Sequence, residues 1–203
     1  MLEKALELCN GCHTCYSLCS KQAIKMISNE EGFLYPQIDD SLCVKCGLCE
    51  KKCPVLNPQK KDDEETLAYA VINNNEKIRL ESSSGGVFTA LAENVIKQGG
   101  IVFGAKFDSD FNVIHGYTDT IEGLADFRGS KYVQSAIGEA YKDCKNFLEE
   151  GRQVLFSGTP CQIAGLQSFL GKNYDNLLLV DIICHGVPSP LLWSEYKTTL
   201  EKK

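Results

Sequence analysis

A small cysteine-rich α+β module, followed by an α/β domain with a mostly parallel sheet, is the fold this sequence predicts. Three observations carry that reading. Eight of the eleven cysteines lie within the first 53 residues, in two copies of one spacing. A polar, charged stretch, NPQKKDDEE, runs from Asn57 to Glu65. From Thr66 onward strand-like and helix-like segments alternate, the pattern of a wound, mostly parallel sheet. The expected divisions are residues 1–56, a linker at 57–65, and residues 66–203.

The first module is justified by its cysteines. Cys9, Cys12, Cys15 and Cys19 form C-x2-C-x2-C-x3-C, and Cys43, Cys46, Cys49 and Cys53 repeat it, with Pro54 after the last. A 4Fe–4S cubane needs one thiolate on each of four irons. The tight C-x2-C-x2-C loop reaches three, and the fourth comes from the other repeat. On that logic Cys9, Cys12, Cys15 and Cys53 hold one cluster, and Cys43, Cys46, Cys49 and Cys19 hold the other. The module is thus expected to be ferredoxin-like. Two zinc sites are the competing reading, but zinc sites usually use paired C-x2-C knuckles without a third cysteine two residues on. Ser20, where a proline usually follows the fourth cysteine, removes no ligand.

The elements of the second domain follow in order. Leu67–Ile72 (LAYAVI) and Gly100–Phe107 (GIVFGAKF) read as strands. Between them Gly85–Lys97 has apolar residues at helical spacing and ends at Gly99 and Gly100. Asn112–Tyr117 is a weaker strand, and Gly138–Glu149 a helix with Cys144 on its packing face. Gln153–Ser157 reads as a strand, Gln162–Leu170 as a helix, Leu177–Ile183 (LLLVDII) as a buried strand and Ser189–Leu200 as a last helix. The sequence stops in EKK at the end of that helix, with no following strand, so a C-terminal part is expected to be missing. His13 and His115 read as structural or surface positions.

Composition narrows the function. Of 203 residues 43% are hydrophobic and 24% charged, an ordinary globular mix. The net charge of −6 disfavours nucleic acid and anionic membranes, whose phosphates it would repel. Apolar runs such as Asn176–Cys184 are far shorter than a bilayer span, and the start, MLEKALELCNGC, is no secretory signal. A cytoplasmic protein without membrane insertion is expected. In that compartment clustered thiols point to metal rather than to disulfides.

Four segments after Thr66 look chemical. Ser82–Gly86 (SSSGG) opens a helix, where small residues expose backbone N–H groups to an anion such as a flavin phosphate; a plain N-cap is the alternative. Ser157–Gln162 (SGTPCQ) follows a strand and opens another helix, which places Cys161 where the helix dipole favours a thiolate. A buried, inert cysteine is the alternative there. Cys184-His185-Gly186 follows the next strand, so Cys161, Cys184 and His185 converge at the carboxyl edge of a parallel sheet, where ligands bind. Thr159 and Gln162 belong to the same candidate site. Arg128–Tyr132 (RGSKY) could meet a phosphate and stack Tyr132 on a ring, although a polar loop would look similar.

SSSGGVFTAL, RGSKYVQS, SGTPCQIAGL and ICHGVPSP, in this order and at these spacings, resemble the coenzyme F420 hydrogenase/dehydrogenase beta-subunit family, whose name refers to a deazaflavin hydride carrier. Members with a fused two-cluster ferredoxin module look like the whole chain. The resemblance implies an oxidoreductase carrying FAD and a further 4Fe–4S cluster near it. Ser84, Gly85, Gly86, Ser130, Lys131 and Tyr132 would approach the flavin. Cys161 and Cys184 would be two ligands of the further cluster, whose other two come in the family from a later C-x2-C segment, so that cluster is expected only in a longer form. The flavin would exchange a hydride with a deazaflavin or another small organic donor or acceptor. It can then release electrons singly through the clusters to a redox partner protein or subunit. Two rivals remain: a pure electron carrier whose α/β part docks a partner, and a thiol-based sensor built on Cys161.

Overall fold

The computed structural model describes residues 6–58 and 65–202. Most of the expected linker, residues 59–64, lies outside the described residues.

The cysteine-rich module is built on a two-stranded antiparallel hairpin, β1 (Ile24–Ser28) and β2 (Leu34–Ile38), paired from Ile24–Ile38 to Ser28–Leu34. Short helices α1 (Thr14–Leu18) and α2 (Leu48–Lys51) follow the two cysteine loops. The helices begin after His13 and Gly47, both in the left-handed region at φ 63° and 72°. The module's own core is small: Ile24 and Cys49, with Cys15, Tyr16, Cys19, Ile38, Cys53 and Leu56 around them. So little apolar burial cannot hold a fold alone, and bound metal supplies the rest in modules of this size.

The second part carries a four-stranded sheet in the order β4–β3–β5–β6. Its strands are β3 (Ile101–Phe107), β4 (Val113–Thr118), β5 (Val154–Gly158) and β6 (Leu177–Asp181). β3–β5 and β5–β6 are parallel, while β3 and β4 form an antiparallel hairpin, so the mostly parallel sheet is present with one antiparallel edge. Helix α3 (Glu76–Leu80) and a 3₁₀ turn at Glu122–Phe127, neither expected, flank helix α4 (Val87–Lys97). α4 packs Ala92 and Val95 on Val102, Leu155 and Leu124. The opposite face is covered by α5 (Ala140–Glu149) and α6 (Pro160–Leu170). α5 is amphipathic, burying Ala140, Tyr141, Cys144 and Leu148 at helical spacing. Cys144 is fully buried in that core, as packing. Phe103 and Phe156, also fully buried, stack with centroids 5.4 Å apart. Each contributes roughly 2–3 kcal/mol by burial.

Two expected strands need correction. Leu67–Ile72 forms no strand among the described residues: it runs extended and exposed, with Leu67, Tyr69, Val71 and Ile72 all 57–78% accessible. A β-prone run becomes a strand only where a ladder partner is free. This one instead passes the SSSGG loop, where the Asn73 N–H donates to the Gly85 carbonyl at 2.7 Å. Leu177–Ile183 is shorter than expected and not buried. β6 ends at Asp181 on the sheet edge, leaving Leu178 and Ile182 about half exposed and Ile183 91% exposed.

The last helix, α7 (Pro190–Glu201), docks on both parts. Ser189 Oγ donates to the Glu31 carbonyl at the β1–β2 turn, and Trp193 Nε1 donates to the Phe111 carbonyl at the β3–β4 turn, 2.9 Å away. Among the described residues, no helix is long and apolar enough to cross a membrane.

Candidate iron–sulfur and cofactor site

In the first module the second cysteine loop and Cys19 meet. Cys19, Cys43, Cys46 and Cys49 line one cavity, with Cys15 beside them and Ala23, Ile24 and Ile38 forming an apolar wall. This is the donor set expected for one cubane. The other set is grouped as well. Burial raises the Cys9 and Cys12 thiols, and Cys53 stands close enough to raise both further. Burial pushes Cys15 up to about 12, helped by Cys12, Cys9 and Cys49. Such thiols deprotonate on binding metal, which is how iron uptake is coupled to proton release. Among the described residues no three His, Cys, Asp or Glu side chains converge tightly enough for one metal ion. Tetrahedral zinc would bring thiolates to within about 4 Å of one another, given a Zn–S bond of about 2.3 Å. A cubane spreads its four thiolates over four irons and needs no such tight group.

The carboxyl edge of the sheet collects the other candidates. α4 ends at Lys97, and a tight turn through Gly99 and Gly100 leads straight into β3. The helix therefore runs back along the strand, which places its N-terminus and the SSSGG loop near the strand's carboxyl end. Gly86 precedes the helix at φ 75°, and a Cβ on Gly85 would lie 2.7 Å from the Val71 carbonyl, so these glycines are needed by the backbone itself. No serine caps the helix: Ser82 Oγ donates back to Ile78, and Ser83 Oγ accepts the Ser130 N–H at 2.7 Å. The expected N-cap alternative thus does not form, and the SSSGG and RGSKY loops are brought together. Arg128 holds the same junction, donating to Glu81 at 2.6 Å and to Thr89. Lys131 turns its ammonium to the Asp126 and Arg128 carbonyls, and burial lowers its pKa. Tyr132 is 78% exposed.

From Tyr132 the chain continues to Ser135, which connects this edge to α6. Gln162 Nε2 donates to the Ser135 carbonyl and to Ser135 Oγ at 3.2 and 2.9 Å, while Gln162 Oε1 accepts the Thr159 N–H at 3.0 Å. Gln162 is buried with both ends of its amide engaged. His115, also buried, has Nε2 2.9 Å from the Ser157 carbonyl and Nδ1 2.8 Å from Ser135 Oγ. A carbonyl only accepts, so Nε2 carries the proton and Nδ1 accepts from the Ser135 hydroxyl. Burial holds this imidazole at a pKa of about 4, neutral at physiological pH. The sequence offered no signal for this His115–Ser135–Gln162 network, because its members are far apart in the chain.

Cys161 opens α6 with its Sγ 3.1 Å from Thr159 Oγ1. β5 and β6 are parallel, with Gly158 paired to Asp181, so Cys161 and Cys184 each follow their strand end by three residues on the same edge. Cys184 is exposed and its Sγ accepts the Gly186 N–H at 3.4 Å; His185 is exposed too.

The two modules meet at the first cysteine loop. The buried Tyr141 hydroxyl lies 3.0 Å from the Cys12 carbonyl and 2.8 Å from the Gln162 carbonyl, sharing its proton between them. Burial raises its pKa well above the usual range, and the neighbouring Cys12, Cys161 and Cys144 thiols add to the rise. Thr14 Oγ1 donates to the Gly165 carbonyl at 3.1 Å, Tyr16 to Glu139 at 2.9 Å, and Gln134 to the Asn10 carbonyl at 3.2 Å. A Cβ on Gly165 would stand 2.7 Å from Tyr141 Oη and 2.8 Å from Thr14 Oγ1. The glycine inside an apolar helix was the one sequence signal of this close approach.

Comparison with known proteins gives two family matches. Residues 8–57 match the 4Fe–4S dicluster domain, and residues 151–203 match the C terminus of the coenzyme F420 hydrogenase/dehydrogenase beta subunit. No curated protein matches the chain. Among solved structures, a chain of the xenon-derivatised F420-reducing [NiFe] hydrogenase complex from Methanosarcina barkeri is similar at 20% identity and a TM-score of 0.48. The similarity covers 61% of this chain and 46% of that one. The N-terminal match assigns two 4Fe–4S clusters to the first module. With that dicluster domain at its N-terminus, the chain belongs to the coenzyme F420 hydrogenase/dehydrogenase beta-subunit family.

Proposed function

We propose that the protein is an iron–sulfur flavoprotein oxidoreductase. In this reading FAD lies along the carboxyl edge of the sheet, between the SSSGG and RGSKY loops, and the dicluster module exchanges electrons with it. The observation that carries the reading is the Ser83–Ser130 junction, which joins two distant segments over an uncapped helix N-terminus. A helix start of this kind favours a phosphate.

The residues fit the groups. Cys9, Cys12, Cys15 and Cys53 would hold one cubane, and Cys19, Cys43, Cys46 and Cys49 the other. Ser84, Gly85 and Gly86, with Ser130, Lys131 and Tyr132, would hold the flavin, with Thr159 and His185 at its margin. Gln162 and Ser135 position α6 beneath it. Cys161 and Cys184 would supply two ligands of a further cluster in a longer form of the protein. Flavin supplies hydride chemistry on one side and single-electron transfer on the other. The small-molecule partner is a hydride donor or acceptor, with deazaflavin as the first candidate, and the other partner is a redox protein or subunit.

The test is anaerobic reduction of the purified holoprotein by hydride donors, reduced deazaflavin and a reduced nicotinamide among them, followed by the EPR of the reduced clusters. Cluster reduction by a hydride donor, lost in Gly86→Val with iron content unchanged, is expected. Clusters that accept electrons only from a one-electron reductant would contradict the reading and favour a simple carrier.

A further inference from the structure

We propose that electrons cross between the modules at the Cys9–Cys15 loop, and that Tyr141 is the positioning residue that holds this crossing closed. The destination of the crossing, the Cys161 edge, rests on the flavoprotein reading above. One electron passes at a time: the cluster side loses or gains one, the flavin side gains or loses one, and the chain makes or breaks no bond.

Tunnelling falls steeply with distance and with gaps in the medium, so a sealed, bonded contact is the favoured route. The first loop has one. From the Cys12 carbonyl the path runs through the Tyr141 hydroxyl to the Gln162 carbonyl, one residue from Cys161. Beside it, Cys12 Sγ lies 3.3 Å from Thr14 Oγ1, which itself donates to the Gly165 carbonyl. Gly165 leaves no side chain between loop and helix. Tyr141 and Thr14 are 0% and 1% exposed, so no water separates the partners here. The second loop differs. Cys46 is exposed, Val44 is 62% exposed, and no described hydrogen bond ties residues 43–49 to the α/β domain. The half held by Cys9, Cys12, Cys15 and Cys53 is therefore the inner one, and the half containing Cys46 faces outward.

The experiment is an EPR-monitored redox titration of the full-length holoprotein and its Tyr141→Phe and Thr14→Val variants. Cys46→Ala identifies the outer cluster by its loss. Tyr141→Phe is expected to keep its iron, to shift the potential of the inner cluster alone, and to slow flavin–cluster equilibration in stopped-flow mixing. If Tyr141→Phe loses iron, Thr14→Val decides, with the same shift expected. Unmoved potentials, or a shift confined to the cluster that Cys46→Ala removes, would overturn the proposal. A protein without flavin whose inner cluster still shifts would retire the flavoprotein reading while leaving the inner and outer assignment intact.

Discussion

The two cysteine loops have the same spacing and different surroundings. The first is pressed on α6, with Cys12 buried and Cys15 held by burial at about 12. The second keeps Cys49 buried but leaves Cys46, Val44 and Leu48 outward. Spacing therefore tells which residues can hold a cubane, while packing decides solvent access and hydrogen bonding, the factors that set its potential and its neighbours. A repeat in sequence has become an inner and an outer half in space.

The harshest way to break this comparison is to remove the iron. The module's own core is too small to persist, so residues 6–58 should lose hydrogen-exchange protection while β3, β5 and β6 keep theirs. A hairpin that stays protected without iron would show that the peptide folds unaided. Single ligand losses then sharpen the contrast. Cys12→Ala and Cys46→Ala should each reduce iron from about eight to about four per chain, but only Cys12→Ala should also lower the melting temperature of the α/β part. Equal effects on that temperature would erase the distinction between the halves.

Gly165→Val pushes a branched side chain into the contact between Tyr141 and Thr14. It should cost about 1–3 kcal/mol or more by overpacking, read in thermal unfolding. An unchanged transition would mean that loop and helix are not closed on each other. His115 gives a pH-dependent effect of about 1.4 kcal/mol. Its folded pKa of about 4 lies below the unfolded value of 6.5, so the unfolded state binds the proton first. Its stabilisation is complete above pH 6.5 and is lost as pH falls toward 4. Urea midpoints at about pH 7.5 and 5.5 should differ by about 1.4 kcal/mol more in the native protein than in His115→Asn; identical pH dependence would refute the neutral, buried imidazole. The smallest effect belongs to Glu139→Gln, at the exposed rim where Tyr16 and Lys142 meet it. It should cost under about 1 kcal/mol, and a larger loss in thermal unfolding would mean that the rim rather than Tyr141 joins the modules.

Much of this was legible in the chain. The cysteine repeat named the donor sets, and helical spacing found α4, α5 and α6 because each buries one stripe. LAYAVI misled because β-propensity reports a side chain's fit to a pleated surface and not whether a ladder partner is available. LLLVDII misled because an apolar run looks the same at a sheet's edge as at its centre. The Ser83–Ser130 junction, the His115 network and Tyr141 were not legible at all. Each joins residues 20 to about 130 positions apart, and the tyrosine looked like one more apolar position of an amphipathic helix. What local pattern cannot show is which two elements the tertiary fold brings into contact.

The most direct measurement is the identity and amount of flavin released from protein purified without oxygen, set against its iron and protein content. The account predicts nearly one FAD per chain alongside both dicluster clusters. Intact clusters with no flavin would contradict it, leaving an electron carrier joined to an α/β docking domain.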